Sequence, residues 1–322
     1  MDSITQAALG ASIGELILGK KIGNKAAIGG AIIATIPDLD ILLTPFYSVF
    51  ENISIHRGYS HSLMFCFLLA IILSYLLKKI KWFKNLSLPR LMLFTFLVLV
   101  THILLDTFTT FGTQLFLPFA DWRVSFDCIN IVDPIYTLPI VIGLGASLFK
   151  YAKNDIKRSL PNQIGLLLSS LYLVFTLANK QHVQNIFAEN LQEQSTPYYK
   201  MLTVPVKVGN LVWYGVAKDE THLHIGKYSM LEKNKIEFDA FPINKHLLEG
   251  LDQELVDRLI WFAQGYYVVA QHDDKIRVYN MQCDMQGVRT FGEYKAPTAF
   301  YYEITPKLNE EYDLKVGMQE AD

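Results

Sequence analysis

The sequence predicts a multi-pass α-helical membrane bundle followed by a small C-terminal α+β domain. Half of the 322 residues, 51%, are hydrophobic, mean hydropathy is +0.22 and only 19% are charged. That charged share lies below the roughly 25% of a soluble globular domain. The charge is also unevenly placed. Residues 1–180 hold 15 Lys/Arg and 10 Asp/Glu, and residues 181–322 hold 14 and 21. The halves therefore carry +5 and −7, which give the overall −2. A boundary near residue 180 follows, with a helical membrane domain over 1–180 and a soluble α+β domain over 181–322. The near-neutral chain carries no nucleic-acid signature.

Six apolar runs predict the helices in order: Ile4–Leu18, Ala26–Leu43, Ser62–Leu77, Leu91–Leu105, Ile135–Phe149 and Ile164–Ala178. Several fall slightly short of the roughly 20 residues of a full span, so flanking residues extend them or they re-enter. A soluble shell around so many apolar helices is hard to build. The N-terminus does not read as a cleavable signal peptide, because Asp2 and Glu15 stand where such a segment is uncharged.

Lysine placement sets an orientation. Lys20, Lys21 and Lys25 join the first two runs, Lys78 to Arg90 the third and fourth, and Lys150 to Arg158 the fifth and sixth. Positive charge in alternate loops marks those loops as cytoplasmic. The expected location is the plasma (inner) membrane, with residues 181–322 outside the cytoplasm. The opposite, non-cytoplasmic ends collect Asp38 and Asp40 of P-D-L-D, His56 and His61 of H-R-G-Y-S-H, and His102 with Asp106.

Ionisable residues inside apolar runs are costly and point to a function. His102 and Asp106 are four apart and share one helix face. Neutral imidazole and carboxylate suit Zn²⁺, and also Mn²⁺ or Fe²⁺. The pair reads equally as a hydrogen bond at a polar kink. His56 and His61 flank Gly58 in a loop entering a helix that Ser60 or Ser62 would cap. They read as ligands or as interfacial histidines facing water. Asp38 and Asp40 follow Pro37, which breaks a helix and lets one or both turn inward; the alternative is a solvated helix end. Together Asp38, Asp40, His56, His61, His102 and Asp106 form the candidate metal set for a divalent ion, with zinc expected.

Two further residues are candidate catalytic groups. Arg57, between the histidines, is suited to bidentate capture of phosphate or carboxylate, or serves as counter-ion to an aspartate. Glu15 is a carboxylate behind the ligands, a general base, or a group reaching toward the cytoplasmic face. The aromatic loop 107–133 lies on the face of the candidate site as a lid or an interfacial anchor. Its Asp133 precedes Pro134 and reads first as a helix cap and second as a ligand.

The C-terminal part reads as strands Leu211–Val216 and Leu223–Tyr228, a helix Gln253–Gln264, a hairpin Gly265–Gln271 and Ile276–Met281 across H-D-D-K, and an edge strand Ala299–Ile304. His222 and His224 alternate on one strand face, as a metal pair or as surface histidines. Cys66, Cys128 and Cys283 form no disulfide framework, although Cys128 and Cys283 would share a compartment.

M-D-S-I-T-Q-A-A-L-G-A at the start, P-D-L-D at 37–40, H-R-G-Y-S-H-S at 56–62 and H-I-L-L-D at 102–106 together resemble the family of membrane-bound metal-dependent hydrolases. The resemblance covers residues 1–140. That family is grouped with zinc-dependent phospholipase C and the single-strand-specific zinc nucleases, all-helical enzymes with clustered zinc ions. Their H-x-x-x-D motif is similar to His102 and Asp106. The resemblance implies a phosphoester hydrolase. Where many relatives carry a histidine near the N-terminus, this chain has Gln6, and it has too few further histidines for a three-metal cluster.

The expected function is metal-dependent hydrolysis at the membrane surface, with membrane lipids as surroundings and a lipid-linked phosphoester as substrate class. The alternatives are a non-catalytic membrane protein with a structural metal, and a metal carrier. A carrier would line both leaflets with polar groups, whereas these ligands gather on one face. The sequence does not fix the oligomeric state.

Overall fold

The computed structural model describes residues 1–206, 208–232, 235–282, 300–306 and 312–318. The chain divides into two compact units. One comprises residues 1–43 and 55–177, and the other residues 44–54 and 178–322.

The first unit is helical. Helix α1, Ser3–Ile22, starts at Asp2, whose carboxylate accepts the N–H groups of Ile4 (3.1 Å) and Thr5 (2.9 Å). It ends at Gly23, where φ is +65° and no Cβ opposes the turn. Lys20 and Lys21 sit in its last turn, where the helix dipole favours cations. Helix α2, Lys25–Ala34, lies directly against α1. A Cβ on Gly10 would strike Ala34 and the Gly30 carbonyl, and one on Gly30 would strike the Gly10 carbonyl, so the two backbones touch. This is the small-residue packing expected where lipid removes the hydrophobic drive between helices.

Pro37 cannot continue the α-helical ladder. The chain tightens there into a 3-10 segment, Pro37–Phe46, which carries Asp38 and Asp40. Helix α3, Val49–Ile55, follows, and its residues 49–54 belong to the second unit. The H-R-G-Y-S-H loop then leads through a 3-10 turn, Tyr59–His61, into α4, Leu63–Leu77. Of the two serines expected as caps, Ser62 accepts the Phe65 N–H at 3.2 Å. Helix α5, Leu88–Thr107, packs on α4, with the hydroxyls of Ser74 and Thr95 3.0 Å apart between them. Helix α6, Pro134–Lys150, begins at Asp133, which accepts the Ile135 N–H at 2.9 Å and the Tyr172 hydroxyl at 2.7 Å. Asp133 is thus a cap. Helix α7 runs Ser159–Glu193.

The core of this unit gathers Leu18, Leu91, Phe94, Val98, Leu99 and Ile103, all fully buried. Large apolar side chains also face outward: Phe67, Ile72 and Leu76 on α4, and Leu167, Leu171 and Val174 on α7. Helices apolar on both faces belong in lipid. Among the described residues, three segments are long and apolar enough to cross a membrane: Lys25–Phe46, Leu88–Thr107 and Ile156–Glu193. The helix pair 49–61 and 63–77 would make a fourth span, and Pro134–Lys150 is a shorter apolar helix. The first of the six apolar runs lies on α1, which is not among these segments, and the other five lie on the segments just named.

The second unit holds two antiparallel meanders. β1 (Lys200–Pro205), β2 (Val212–Lys218), β3 (His222–Ser229) and β4 (Phe238–Pro242) form one sheet in chain order. Helix α8, Gln253–Phe262, follows, and its cap Asp252 accepts the Leu255 N–H at 2.8 Å. β5 (Tyr267–His272), β6 (Lys275–Asn280), β7 (Phe300–Pro306) and β8 (Tyr312–Met318) form the other sheet. Trp213, Val183, Phe187 and Ile236 make one buried cluster. Segment 44–54 belongs to this unit, and the Phe50 ring lies 5.3 Å from the Arg258 guanidinium. One expectation is corrected here. The strand expected as an edge at 299–304 is internal, because β8 pairs along its far side from Phe300↔Met318 to Pro306↔Tyr312. Cys128 is buried, and Cys283 lies outside the described residues.

Candidate metal centre

Four side chains from three stretches of the helical unit converge. α5 presents His102 and Asp106 from one face, the 3-10 turn after Gly58 presents His61, and the 3-10 segment after Pro37 presents Asp38. Their atoms Asp38 Oδ1, His61 Nε2, His102 Nε2 and Asp106 Oδ2 point at a common centre. His61 Nε2 is 3.3 Å from Asp38 Oδ1 and 3.3 Å from Asp106 Oδ2. His102 Nε2 is 3.4 Å from Asp38 Oδ1 and 3.7 Å from Asp106 Oδ2. One ligand atom from each residue lies within 4.8 Å of all the others, so the group could hold a metal ion.

Two observations test whether the residues fit an ion. Bonds of about 2.0–2.2 Å from zinc to imidazole nitrogen and carboxylate oxygen, set tetrahedrally, place ligand atoms about 3.3–3.6 Å apart. Three of the four measured edges fall in that range, and the fourth, His102 Nε2 to Asp106 Oδ2, is 3.7 Å. In addition, His61 Nε2, His102 Nε2 and Asp106 Oδ2 are buried and have no hydrogen-bond partner. Buried polar atoms are nearly always paired, and each one left unpaired costs about 1–3 kcal/mol. Three such atoms aimed at one point are what a cation would satisfy.

A layer of polar groups orients this set. Asp40 is buried, and its Oδ2 accepts the Arg57 backbone N–H (3.0 Å) and the Ser60 hydroxyl (2.8 Å). The same oxygen lies 3.5 Å from His61 Nδ1, which also meets Ser60 Oγ at 2.9 Å. Carboxylate behind imidazole fixes the ring and its tautomer. Asp40 Oδ1 meets His56 Nδ1 at 3.1 Å, and the His56 ring stands edge-on to Phe111 at 5.2 Å. Asp40 and His56 therefore stand outside the four converging residues. Asp106 Oδ1 accepts from Gln6 Nε2 at 2.9 Å and from the Met1 amine, which turns Oδ2 toward the centre.

Arg57 holds a left-handed backbone conformation, φ +57°, unusual for a side chain with a Cβ. The Asp40 bond to its N–H and the Gln114 N–H on its carbonyl (3.1 Å) hold it there. Its guanidinium is buried, with Nε 3.4 Å from Asp106 Oδ2 and Nη1 donating to Thr109 Oγ1 at 2.9 Å. It is thus adjacent to the centre.

Glu15 is not brought to this cluster. Its carboxylate takes both arms of the Arg158 guanidinium, at 2.7 and 2.8 Å, and Arg158 also reaches Asn24 at 2.7 Å. Gln6 and Glu15 are nine residues apart on α1, about 13 Å along the axis, and Gln6 is the one that meets Asp106. Glu15 is therefore a structural ion-pair partner at the far end of α1, which corrects its reading as a base. In the second unit His224 pairs with Asp219 at 2.7 Å and His222 with Thr221 at 2.8 Å. Among the described residues no third ligand joins them, so they fit the surface-histidine reading.

Thr109 and Phe111 were not singled out from the sequence, whereas Gln6 was noted as standing where relatives carry a histidine and Ser60 as a possible helix cap. Of the two that were missed, Thr109 carried a signal, as a polar residue three positions after the candidate ligand Asp106.

No solved structure matches the chain. Inner membrane protein YbcI of Escherichia coli (strain K12) is 36% identical over 109 residues, 34% of this chain and 61% of that protein. Uncharacterized protein YfhP of Bacillus subtilis (strain 168) is 30% identical over 141 residues, 42% of each chain. The chain thus spans less than two thirds of either relative. The profile of the YdjM inner membrane protein family matches residues 1–183, which include all four converging residues. The chain belongs to the YdjM inner membrane protein family.

Proposed function

We propose that this protein is a metal-dependent hydrolase working at the membrane surface on a lipid-linked phosphoester. The observation that carries the reading is the convergence of Asp38, His61, His102 and Asp106, three of whose inward atoms are buried without a hydrogen-bond partner. Two imidazoles and two carboxylates at these spacings favour zinc. A divalent ion there supplies Lewis acidity toward a phosphoryl oxygen and lowers the pKa of the attacking water.

The chain's own residues do the rest. Asp40 and Ser60 hold the His61 ring, and Gln6 holds Asp106, so that the donor atoms are in place before an ion arrives. Arg57, 3.4 Å from Asp106 Oδ2, is placed to bind an oxygen of the phosphoryl group and to balance charge as it develops. Asp38 is the one converging residue with a side chain partly open to solvent, at 27%, so substrate enters on its side. Exposed Phe116, Phe119 and Trp122 on the loop after α5 suit the headgroup zone, where a lipid phosphate would lie. Lysines in alternate loops support a cytoplasmic location for the opposite helix ends. They favour an extracytoplasmic C-terminal domain.

The test is release of phosphate or a phosphomonoester from phospholipids and isoprenoid phosphates by the purified chain, with and without chelator. Activity that is lost on chelation, and that Arg57→Lys abolishes while bound metal stays unchanged, supports the reading. Full activity in Arg57→Ala removes Arg57 from the site. No activity on any of these substrates with metal bound favours a structural ion instead.

A further inference from the structure

We propose that Arg57 and Arg123 form a two-guanidinium clamp, joined through the ring of Phe111, that selects a diphosphate over a monophosphate. The inference rests on the metal-hydrolase reading and names its substrate class more narrowly.

The Arg57 guanidinium carbon lies 5.1 Å from the Phe111 ring centre, and that of Arg123 lies 4.7 Å from it. Both are within cation–π range. The two guanidinium carbons are therefore no more than about 9.8 Å apart, the sum of those two distances. Backbone pairing holds them there. Thr113 and Val124 exchange two hydrogen bonds, at 3.0 and 2.9 Å, which brings Arg123 beside the 111–114 turn. Arg123 Nη2 then donates to the Phe111 carbonyl. On the other side, the Gln114 N–H on the Arg57 carbonyl ties the same turn to the H-R-G-Y-S-H loop. Phe111 also receives the edge of the His56 ring at 5.2 Å.

Two guanidinium groups held against one ring suit a ligand that carries more than one negative charge. Arg57 touches the tetrad through Asp106 and can hold the phosphoryl group nearest the metal. Arg123, held against the same ring, would take the second phosphoryl group. Each guanidinium offers a planar fork matched to phosphate oxygens, which an ammonium does not.

The test is ³¹P NMR titration of the full chain in detergent with inorganic phosphate and with inorganic pyrophosphate, before and after chelator treatment. A short isoprenoid diphosphate makes a third arm. The parent should bind pyrophosphate at least about tenfold more tightly than phosphate. Arg123→Gln should lose that preference while its phosphate affinity stays within about twofold, and Arg57→Lys should weaken both ligands. Arg123→Lys, which keeps the charge, should show an intermediate preference, so that a misfolded Arg123→Gln does not decide the matter. Isoprenoid diphosphate binding tighter than pyrophosphate assigns the ligand to a lipid, and weaker binding assigns it to a soluble diphosphate; either supports the clamp. Equal affinity of the parent for phosphate and pyrophosphate, or an unchanged preference in Arg123→Gln and Arg123→Lys, overturns it. Metal bound without a diphosphate preference would defeat the clamp alone. A diphosphate preference without metal binding would defeat the hydrolase reading alone.

Discussion

Removing either partner of the Glu15–Arg158 pair should destabilise the helical unit sharply, and removing both should cost much less. Both side chains are buried, at 1% and 2% exposure, and 143 residues separate them in sequence. Two charge-assisted hydrogen bonds of 2.7 and 2.8 Å join them, and Arg158 further meets Asn24 Oδ1 and the Tyr151 carbonyl. In Glu15→Leu the guanidinium keeps only the two neutral acceptors. Leaving a buried charge unpaired costs about 3–5 kcal/mol, whereas replacing a whole buried pair by apolar groups is often close to neutral. Glu15→Leu and Arg158→Leu should therefore each cost about 3–5 kcal/mol, and the double variant about 1–2 kcal/mol once the Asn24 contact is lost. The coupling of several kcal/mol is read by SDS titration of the four proteins in mixed micelles, monitored by circular dichroism. Metal content should be unchanged in all of them, since Glu15 lies about 13 Å along α1 from Gln6. A double variant as damaged as the sum of the singles, or a selective loss of metal in Glu15→Leu, would refute this reasoning.

Asp40→Asn should leave the fold intact but lower metal affinity by about 10–100-fold, the usual effect of removing a carboxylate behind a ligating histidine; competition with a chelating dye measures it. A reporter active only in the cytoplasm, fused after residue 322, should be inactive; activity would invert the topology and place the centre on the cytoplasmic side. In the second unit, burial opposes ionisation of Asp219, but hydrogen bonds from His224 and from the N–H groups of Thr221 and His222 outweigh it. Its carboxyl is thereby held below the ordinary 3.8. The stabilisation is thus present above pH 3.8 and is lost as pH falls through the lower folded value. Asp219→Asn should cost less than about 1 kcal/mol, as expected of a solvent-screened group, and the gap from the parent should close in acid.

Much of the architecture was legible in the sequence because it is local. Each apolar run became helix, Pro37 broke one of them, and the i, i+4 spacing of His102 and Asp106 placed both on one face of α5. The hairpin around Asp273 and Asp274 was legible from its turn residues. Partners distant in sequence were not. Nothing in the order of residues tells that Glu15 meets Arg158 rather than the histidines. Asp38 and Asp40 are near-identical neighbours in P-D-L-D, yet one points at the centre and the other supports His61 and His56 from behind. Which carboxylate does which depends on the 3-10 twist after Pro37 and on where the H-R-G-Y-S-H loop crosses it. β1 and β4 were missed because each is short and gains its strand geometry from the neighbour it pairs with, Lys200↔Lys218 and Phe238↔Gly226 at their starts.

Asp38, His61, His102 and Asp106 are expected to hold a divalent ion. Metal analysis by mass spectrometry of the purified full chain, beside His61→Ala and His102→Ala, tests it most directly. The parent should carry a stoichiometric divalent metal, zinc foremost, and both variants should lose it together with a lower unfolding temperature, because binding to the folded state stabilises it. A parent free of metal after purification and zinc addition, or variants that keep the full metal content, would contradict it.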